Sequence, residues 1–428
     1  MLFSTFTTSK GPTALVSANL LYIALDILLV AIALLLFIPG LVLFIECIAA
    51  LFVGRPSSRQ RAIPRPRIDI LVPAHKEQDG IELTVESLLT QLTPKDRLIV
   101  IADNCSDETA SIARELGAIA VERHNLDQRG KGFALDFGVR FISDDPPDVV
   151  VIVDADCIVD PGTIEQISQL AVFRNRPVQA TYLFEQPPHP TPKDVVSMLA
   201  LIVKNLVRPT GLNRLGMPCL LTGTGMAFPW EIIKDAPLAS GNIVEDMKLG
   251  LDLAIAGHAP VFCAEAKVIS VLPQQENAVK SQRTRWEHGH LQTIKTQVPR
   301  LIKSAVQQFR LDLLATAFDL LIPPLSLLVM LWIFASSMTF AGVLLGASFL
   351  PFLLMLLTGL LIAVAVCAAW GKYARTVVPA KVLLSVPFYI LWKVPLYFAF
   401  LVKPQKSWVR TERDTKAKHS PASYKANG

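Results

Sequence analysis

The sequence predicts an α/β domain with a mostly parallel sheet, carried between membrane helices at its two ends. Three observations predict it. Val149-Val150-Val151-Ile152-Val153 is an unbroken β-branched run, the pattern of a strand buried on both faces. Between residues 67 and 154, strand-like and helix-like patterns alternate, as expected of parallel strands joined by crossover helices. The 428-residue chain is 52% hydrophobic with a mean hydropathy of +0.44, too apolar for a purely soluble domain, and the excess lies at the ends.

Leu15 to Val53 is almost continuously apolar, with Asp26 and Glu46 its only charges. At about 1.5 Å per residue a helix of that length exceeds the ~30 Å hydrocarbon core. One span with an extension is expected, because the piece after Pro39-Gly40 is too short to cross alone. The run is also too long for a signal peptide. Lys10 stands before it, whereas Arg55, Arg59, Arg61, Arg65 and Arg67 follow, which places residue 55 onward in the cytoplasm.

Arg67 to Pro73 then reads as a strand, Ile81 to Leu92 as a helix and Arg97 to Ala102 as a second strand ending in Asp103-Asn104. Ser106 is expected to cap the next helix. Ala118 to Glu122 is a third strand, and Arg129-Gly130-Lys131-Gly132 opens a helix reaching about Ile142. After the strand that ends at Asp154, a helix begins near Pro161, Val178 to Phe184 is a strand and Lys193 to Arg208 a helix. Leu220 to Phe228 is strand-like despite Gly223 and Gly225, and Met247 to Ala256 is helical.

A second apolar block runs from Leu311 to Val402. Leu313 to Phe340 and Val343 to Trp370 read as two spans joined by a very short turn, and Lys372, Arg375 and Lys381 return the chain to the basic side. Val382 to Val402 is long enough to span but carries Lys393 mid-segment. An interfacial or re-entrant helix is favoured, with Lys403, Lys406, Arg410 and Arg413 at anionic headgroups; a third span is the alternative. The expected organisation is therefore residues 1–54 as an N-terminal transmembrane helix, 55–300 as the cytoplasmic α/β domain, 301–402 as a C-terminal membrane region and 403–428 as a basic cytoplasmic tail.

The net charge of +5 sits in the juxtamembrane flanks, which points to a membrane surface and away from nucleic acid. Cys47, Cys105, Cys157, Cys219, Cys263 and Cys367 are scattered without a C-x-x-C pair, so neither a disulfide framework nor a zinc site is indicated.

The chemistry-bearing residues cluster after strands. Asp154 and Asp156 close the β-branched run and offer hard oxygen donors to a divalent cation; the plainer alternative is that Asp154 caps the helix near Pro161. His75, Glu77, Asp103 and Asp154 each follow a strand, and in a parallel sheet those ends share the ligand-binding edge. Lys131 in its G-K-G puts a cation and open N–H groups at a helix start, suited to a diphosphate, or simply makes a turn. Gly223 and Thr224 form either a bulge or a wall against which a sugar rests. Glu245-Asp246 is an acidic pair at a helix start, where the dipole alone favours it. Arg285 beside Trp286 could merely mark the membrane interface.

In order and spacing, P-A-H-K-E at 73–77, Asp103, G-K-G at 130–132, D-A-D at 154–156, E-D at 245–246 and Q-x-x-R-W at 282–286 resemble the membrane-integrated family-two glycosyltransferases. That group holds the cellulose, chitin and hyaluronan synthases and the ceramide glucosyltransferases. The resemblance covers roughly residues 68 to 290 and implies a GT-A fold, a Rossmann-like α/β sandwich that binds a nucleotide-diphosphate sugar. It puts Pro73, Ala74 and Glu77 in the nucleotide pocket, Asp103 on the base or ribose, and Lys131 near the diphosphate. It puts Asp154 and Asp156 on the nucleotide and on Mg²⁺ or Mn²⁺, Asp156 being the direct ligand. Asp246, beside Glu245, matches the general base. Gln282, Arg285 and Trp286 match the motif that holds the diphosphate and lines the acceptor path. Asp103-Asn104 departs from members with a second acidic residue there, which bears on the base or ribose contact.

The implied reaction is an inverting, metal-dependent transfer forming a β-linkage. It runs from a nucleotide-sugar donor, expected to be a UDP-sugar, to a polysaccharide or lipid acceptor at the cytoplasmic membrane face. Membrane lipids and envelope-polysaccharide export proteins are the implied partners. A single-sugar transferase acting on a lipid, and a sugar nucleotidyltransferase, are the alternatives; complete acidic motifs weigh against a non-catalytic scaffold.

Overall fold

The computed structural model describes residues 12–52, 64–187, 190–240, 244–271 and 276–402. Lys10, Arg55, Arg59, Arg61 and the 403–428 tail, with Lys403, Lys406, Arg410 and Arg413, lie outside the described residues.

After the long helix α1 (Pro12–Ala49), the chain lays down β1 (Ile68–Ala74), α2 (Ile81–Leu89), β2 (Arg97–Asp103), α3 (Thr109–Glu115), β3 (Ile119–Arg123), α4 (Lys131–Phe141) and β4 (Val149–Ile152). The four strands are parallel, in the order β3-β2-β1-β4. Side chains alternate across the sheet. Ile70, Val72, Val100 and Val151 join one buried core, and Leu71, Ile99, Ile101, Val150 and Ile152 the opposite one. Each such side chain, buried on folding, contributes about 1.5–3 kcal/mol, and Asp69, buried within β1, is met by Arg97 of β2 at 2.5 Å.

The second half comprises β5 (Cys157–Val159), α5 (Thr163–Arg174), β6 (Val178–Glu185), α6 (Pro192–Ile202), α7 (Arg208–Arg214), β7 (Met226–Pro229), α8 (Trp230–Ile233), α9 (Glu245–Ile255) and β8 (Val261–Val271). It extends the sheet to eight strands, β3-β2-β1-β4-β7-β6-β8-β5. Here the expected parallel pairing gives way: β7 runs antiparallel between β4 and β6, and β5 antiparallel to β8. Of the Leu220 to Phe228 run, only the part from Met226 is strand. Gly223 and Gly225 take φ of +97° and +64°, left-handed conformations that break the extended chain. Ser106 does not cap α3, which starts at Thr109 with its hydroxyl donating to Asp107 at 2.7 Å. Asp154 does not cap α5, which starts after Gly162 without a side-chain cap.

The carboxy-terminal part contains α10 (Glu276–Gln308), α11 (Leu311–Leu321), α12 (Leu325–Leu344), α13 (Leu350–Ala369), α14 (Ala380–Leu383) and α15 (Val386–Val402). Among the described residues, Tyr22–Ala49, Pro192–Arg214, Leu325–Leu344 and Leu350–Ala374 are long and apolar enough to cross a membrane. Burial separates them. The most apolar window of Pro192–Arg214 is 78% buried inside the protein, against 33%, 22% and 28% for the others, so this helix is a core element.

The expected Leu313 to Phe340 span is two helices. Ile322, preceding Pro323-Pro324, is forced out of helical geometry to ψ +109°. α11 then buries Leu313, Ala317 and Leu320 against α9 and α10. Lys393 is buried and pairs with Glu287 on α10, so its charge is met inside the protein and does not by itself argue against a span. Arg65 and Arg67 likewise pair with Asp96 and Asp145.

α1 is fixed at both ends. The Ser348 N–H, in the α12–α13 turn, donates to Asp26 at 2.7 Å. At the other end Lys372 and Tyr373, just past α13, donate to the carbonyl of Ala50 at 3.0 and 2.5 Å. α1 and α13 therefore run parallel, with both carboxy-terminal ends against the α/β domain. Between them and that domain lies a buried ion triad. Arg208 of α7 donates to Glu46 of α1 at 2.9 Å and also pairs with Asp319 of α11. One turn on, a Cβ on Gly211 would stand 1.9 Å from the carbonyl oxygen of Glu46, so only glycine permits this approach.

Removing the cation alone strands two buried carboxylates. Arg208→Met is expected to cost about 3–5 kcal/mol, whereas Glu46→Gln/Arg208→Met/Asp319→Asn regains much of it. Thermal unfolding in detergent, comparing the single and triple variants, checks the order.

Candidate active site

The turn after β4 is clamped on three sides. The Asp154 N–H donates to Thr224 Oγ1 at 3.0 Å, Thr84 Oγ1 donates to the Ala155 carbonyl at 2.9 Å, and Ser270 Oγ to the Asp156 carbonyl at 3.3 Å. The two carboxylates are thus presented by a fixed backbone into a cleft of about 170 Å³. Lys131, Gly223, Glu245, Asp246, Gln282, Arg285 and Trp286 line the same cleft.

Lys131 stands over the D-A-D turn. Its ammonium pairs with Asp154 and donates to the Gly223 carbonyl at 2.6 Å. The glycines beside it explain the aim. Gly130 takes φ +121° just before α4, and a Cβ on Gly132 would lie 2.5 Å from the Leu238 carbonyl oxygen, so the 238–240 segment packs directly on the helix start. Burial works against the ammonium, but Asp154, Glu245 and Asp246 outweigh it and hold Lys131 protonated above its usual range. Gly223, at φ +97°, lets the loop pass beside the base candidate: a Cβ there would lie 3.2 Å from Asp246 Oδ2.

The acids are unlike one another. Burial, and then the charge of Asp246, push Glu245 up to about 7. Burial also raises Asp154, against the opposing pull of Lys131. Asp154, Asp156 and Cys157 bring candidate ligand atoms within 4.8 Å of one another. The carboxylates suit a hard divalent cation such as Mg²⁺ or Mn²⁺. Cys157 does not: burial, then Asp156, raise its thiol well above the usual range and keep it protonated.

The expected residues thus divide. Lys131, Asp154, Asp156, Gly223, Glu245, Asp246, Gln282, Arg285 and Trp286 share one cleft. Thr224 is fully buried and its hydroxyl is engaged by Asp154, so it positions the carboxylate and faces no ligand. Pro73, Ala74, Glu77 and Asp103 stand at the ends of β1 and β2, outside the cleft lining. There the Glu77 N–H donates to Thr109 Oγ1 at 2.8 Å, and the buried Asp103 carboxylate accepts from Arg123 at 2.6 Å.

Tyr182, Phe184 and Lys204 are among the lining residues that escaped the sequence reading. Tyr182 and Phe184 of β6, with ring centroids 4.5 Å apart, continue to Trp286 at 5.7 Å as an aromatic wall. Their signal was the period of two, which puts both on one face of the strand. Lys204, the lone cation within the apolar Val195 to Val207 run, also lines the cleft.

Because Glu245 keeps a proton in the folded protein that the unfolded chain releases at lower pH, its stabilising contribution is full below about pH 4.5. That contribution is lost as pH rises through about 7. Glu245→Gln is expected to flatten this part of the stability profile and to exceed the parent at pH 8. Thermal unfolding from pH 5 to 8 reads both.

With this geometry in view, the relatives are informative. A probable glycosyltransferase of Bacillus subtilis, YdaM, is 31% identical over 109 residues, 24% of this chain and 25% of that protein. An uncharacterized protein of Methanocaldococcus jannaschii is 30% identical over 117 residues, 27% of this chain and 46% of that protein. The chain thus spans between a quarter and about half of the curated relatives it matches. Among solved structures, the mannosyltransferase PcManGT of Pyrobaculum calidifontis, in complex with GDP-Man and Mn²⁺, superposes with a TM-score of 0.51 at 18% identity. That match covers 86% of this chain and 99% of the other, and shows a shared GT-A-like fold. Residues 64–289, just over half of the chain, match glycosyltransferase like family 2, and the chain belongs to that family.

Proposed function

We propose that the protein is an inverting, metal-dependent hexosyltransferase. It takes a sugar from a nucleotide-diphosphate donor, a UDP-sugar in our reading, and forms a β-linkage to a growing polysaccharide or a lipid-linked acceptor. The observation that supports this best is the convergence of Asp154, Asp156, Lys131, Asp246, Arg285 and Trp286 on one cleft. The metal is Mg²⁺ or Mn²⁺, and the mannosyltransferase of like fold was solved with Mn²⁺ and GDP-Man.

Asp154 and Asp156 hold the cation, which when bound neutralises the diphosphate. Arg285 and Gln282 meet the phosphate oxygens from α10, and Lys131 holds Asp154 in place. Pro73, Ala74, Glu77 and Asp103 receive the nucleoside at the sheet edge. The aromatic wall of Tyr182, Phe184 and Trp286 faces the sugar. Asp246 accepts the proton of the acceptor hydroxyl as its oxygen bonds to the anomeric carbon; the carbon–oxygen bond to phosphate breaks, and its electron pair leaves with the nucleoside diphosphate. One displacement inverts the anomeric centre.

The arginine-rich 55–67 flank supports a cytoplasmic catalytic domain at the inner membrane, with α1, α12 and α13 spanning it. Whether α15 lies at the interface or spans turns on its length: 17 residues reach only about 25 Å, short of the ~30 Å core, which favours the interface.

Asp246→Asn is expected to keep metal-dependent donor binding and lose about 10²–10⁴-fold in transfer. Asp156→Ala should instead lose the metal dependence of donor binding. Nucleotide release from UDP-glucose, UDP-N-acetylglucosamine, UDP-galactose and GDP-mannose, with product mass analysis, tests the activity itself. Retained turnover in Asp246→Asn would remove it as the base.

Gly223→Ala presses a methyl on Asp246 and Lys131 from a backbone that disfavours any side chain. Transfer should fall by about 10- to 100-fold, since small displacements of reacting groups are that costly. Steady-state kinetics beside a thermal melt separates this from misfolding.

A further inference from the structure

A second cavity of about 90 Å³ adjoins the cleft, and Leu201, Lys204 and Trp286 line both. Its apolar lining comes chiefly from Leu43 of α1, Ala200 and Val203 of the core helix and the Pro323–Leu325 turn, while Tyr389 of α15, Arg208, Glu287 and His290 border it as well. It therefore lies between the long apolar helices and the base candidate Asp246. The polar side chains of this wall are largely engaged within the protein. The Tyr389 hydroxyl is bonded to Ser197 Oγ at 2.9 Å, and Ser326 Oγ to the Tyr397 hydroxyl at 2.7 Å. These hydroxyls are engaged with each other.

At the junction stands Lys204, in a π-helical stretch, Val203–Val207, of the kind that often marks functional sites. The neighbouring charges are matched: Arg208 by Glu46 and Asp319, Lys131 by Asp154, and Glu287 by Lys393. Burial pushes His290 down to about 3, so it is neutral. Among the described residues no carboxylate is ion-paired with Lys204; burial pushes its ammonium below the usual range, and Asp246, Glu287 and Asp319 oppose that from further off.

We infer that the acceptor is an amphiphile with an anionic, phosphate-like headgroup, that Lys204 binds that headgroup, and that the hydrocarbon lies in the adjoining apolar cavity. The inference deepens the transferase reading and rests on it for the direction of transfer. Charge and apolar surface meet here in the order such a molecule needs: tail towards α1 and α15, headgroup towards Lys204, and reacting end towards Asp246. A charge-assisted contact in a partly desolvated site is strong enough to discriminate a phosphate from an alcohol.

Binding is measured on the full chain in phosphatidylcholine nanodiscs, with dodecyl phosphate, dodecanol and inorganic phosphate as probes. Mn²⁺-dependent binding of UDP and GDP is followed in parallel. Dodecyl phosphate is expected to bind about tenfold more tightly than dodecanol, equivalent to ~1.4 kcal/mol. Inorganic phosphate should bind more weakly than dodecyl phosphate. Lys204→Gln should abolish the preference and Lys204→Arg keep it, while Ala200→Trp, which fills the cavity, should weaken both amphiphiles. Equal affinity for dodecyl phosphate and dodecanol in the parent would overturn the inference. So would Lys204→Gln losing nucleotide binding to the same extent, because Lys204 would then serve the donor diphosphate. So would displacement of the probe by a soluble oligosaccharide, which would make the cavity a sugar path. Absence of nucleotide binding in the parent would instead strike the transferase reading, with the amphiphile comparison still readable.

Discussion

Arg208 is the point on which the two halves of this molecule depend. It joins α1 through Glu46 and α11 through Asp319, and it belongs to the core helix whose preceding turn carries Lys204 and Asn205 into the cleft. Charges taken out of water are expensive, and a hydrophobic trio of the same volume would hold as well or better. What a single guanidinium between two carboxylates adds is register. A helix sliding on an apolar surface meets a shallow energy profile, whereas one that slides off a buried ion pair leaves charges unmatched. Gly211 reinforces the same register by letting the α1 backbone touch α7. The wall of the cleft is therefore set by where the apolar helices sit.

The opposite wall is set from within the sheet. β4 ends where Thr224, Thr84 and Ser270 seize the three consecutive residues of the D-A-D turn, so the carboxylates have little freedom to follow a ligand. Four acids, Asp154, Asp156, Glu245 and Asp246, then crowd one cleft with Lys131 held between them. Burial, and then the charge of Asp246 beside it, raise the proton affinity of Glu245. Such a cleft favours further positive charge, which in the proposed reaction a divalent cation would supply.

How much of this was legible follows from what each segment buries. Val149 to Val153 announced itself because both faces of β4 are core, and the adjoining motifs inherited their place from that strand. The eleven-residue β8 did not, because Glu265 and Lys267 point outward and a register shift opposite Ala180 and Thr181 breaks its period. The glycines around Thr224 leave a bulge and a ligand wall equally open in the sequence; its burial depends on a contact with Asp154, 70 residues earlier. The Lys393 charge argues against a span when read from sequence alone, because its partner Glu287 is distant in sequence. The break at Pro323-Pro324 was readable from the residues, but the unbroken hydropathy around it masked a helix that belongs to the α/β domain.

α10 ties the two walls together. Gln282, Arg285 and Trp286, spaced three and four apart, fall on one helical face and line the cleft. The next residues turn to the other side: Glu287 pairs with Lys393, His288 Nε2 bonds the Leu396 carbonyl at 3.0 Å, and His290 Nε2 that of Leu320 at 3.2 Å. Lys193 and Arg283 lie over the ring of Trp392 at 5.0 and 5.4 Å, adding a further tie to α15. α15 is thus gripped by the helix that presents Arg285 and Trp286. Any displacement of α15 must either carry those side chains with it or break a buried ion pair, so the acidic cleft and the cavity beside it are held in one geometry by the same helix.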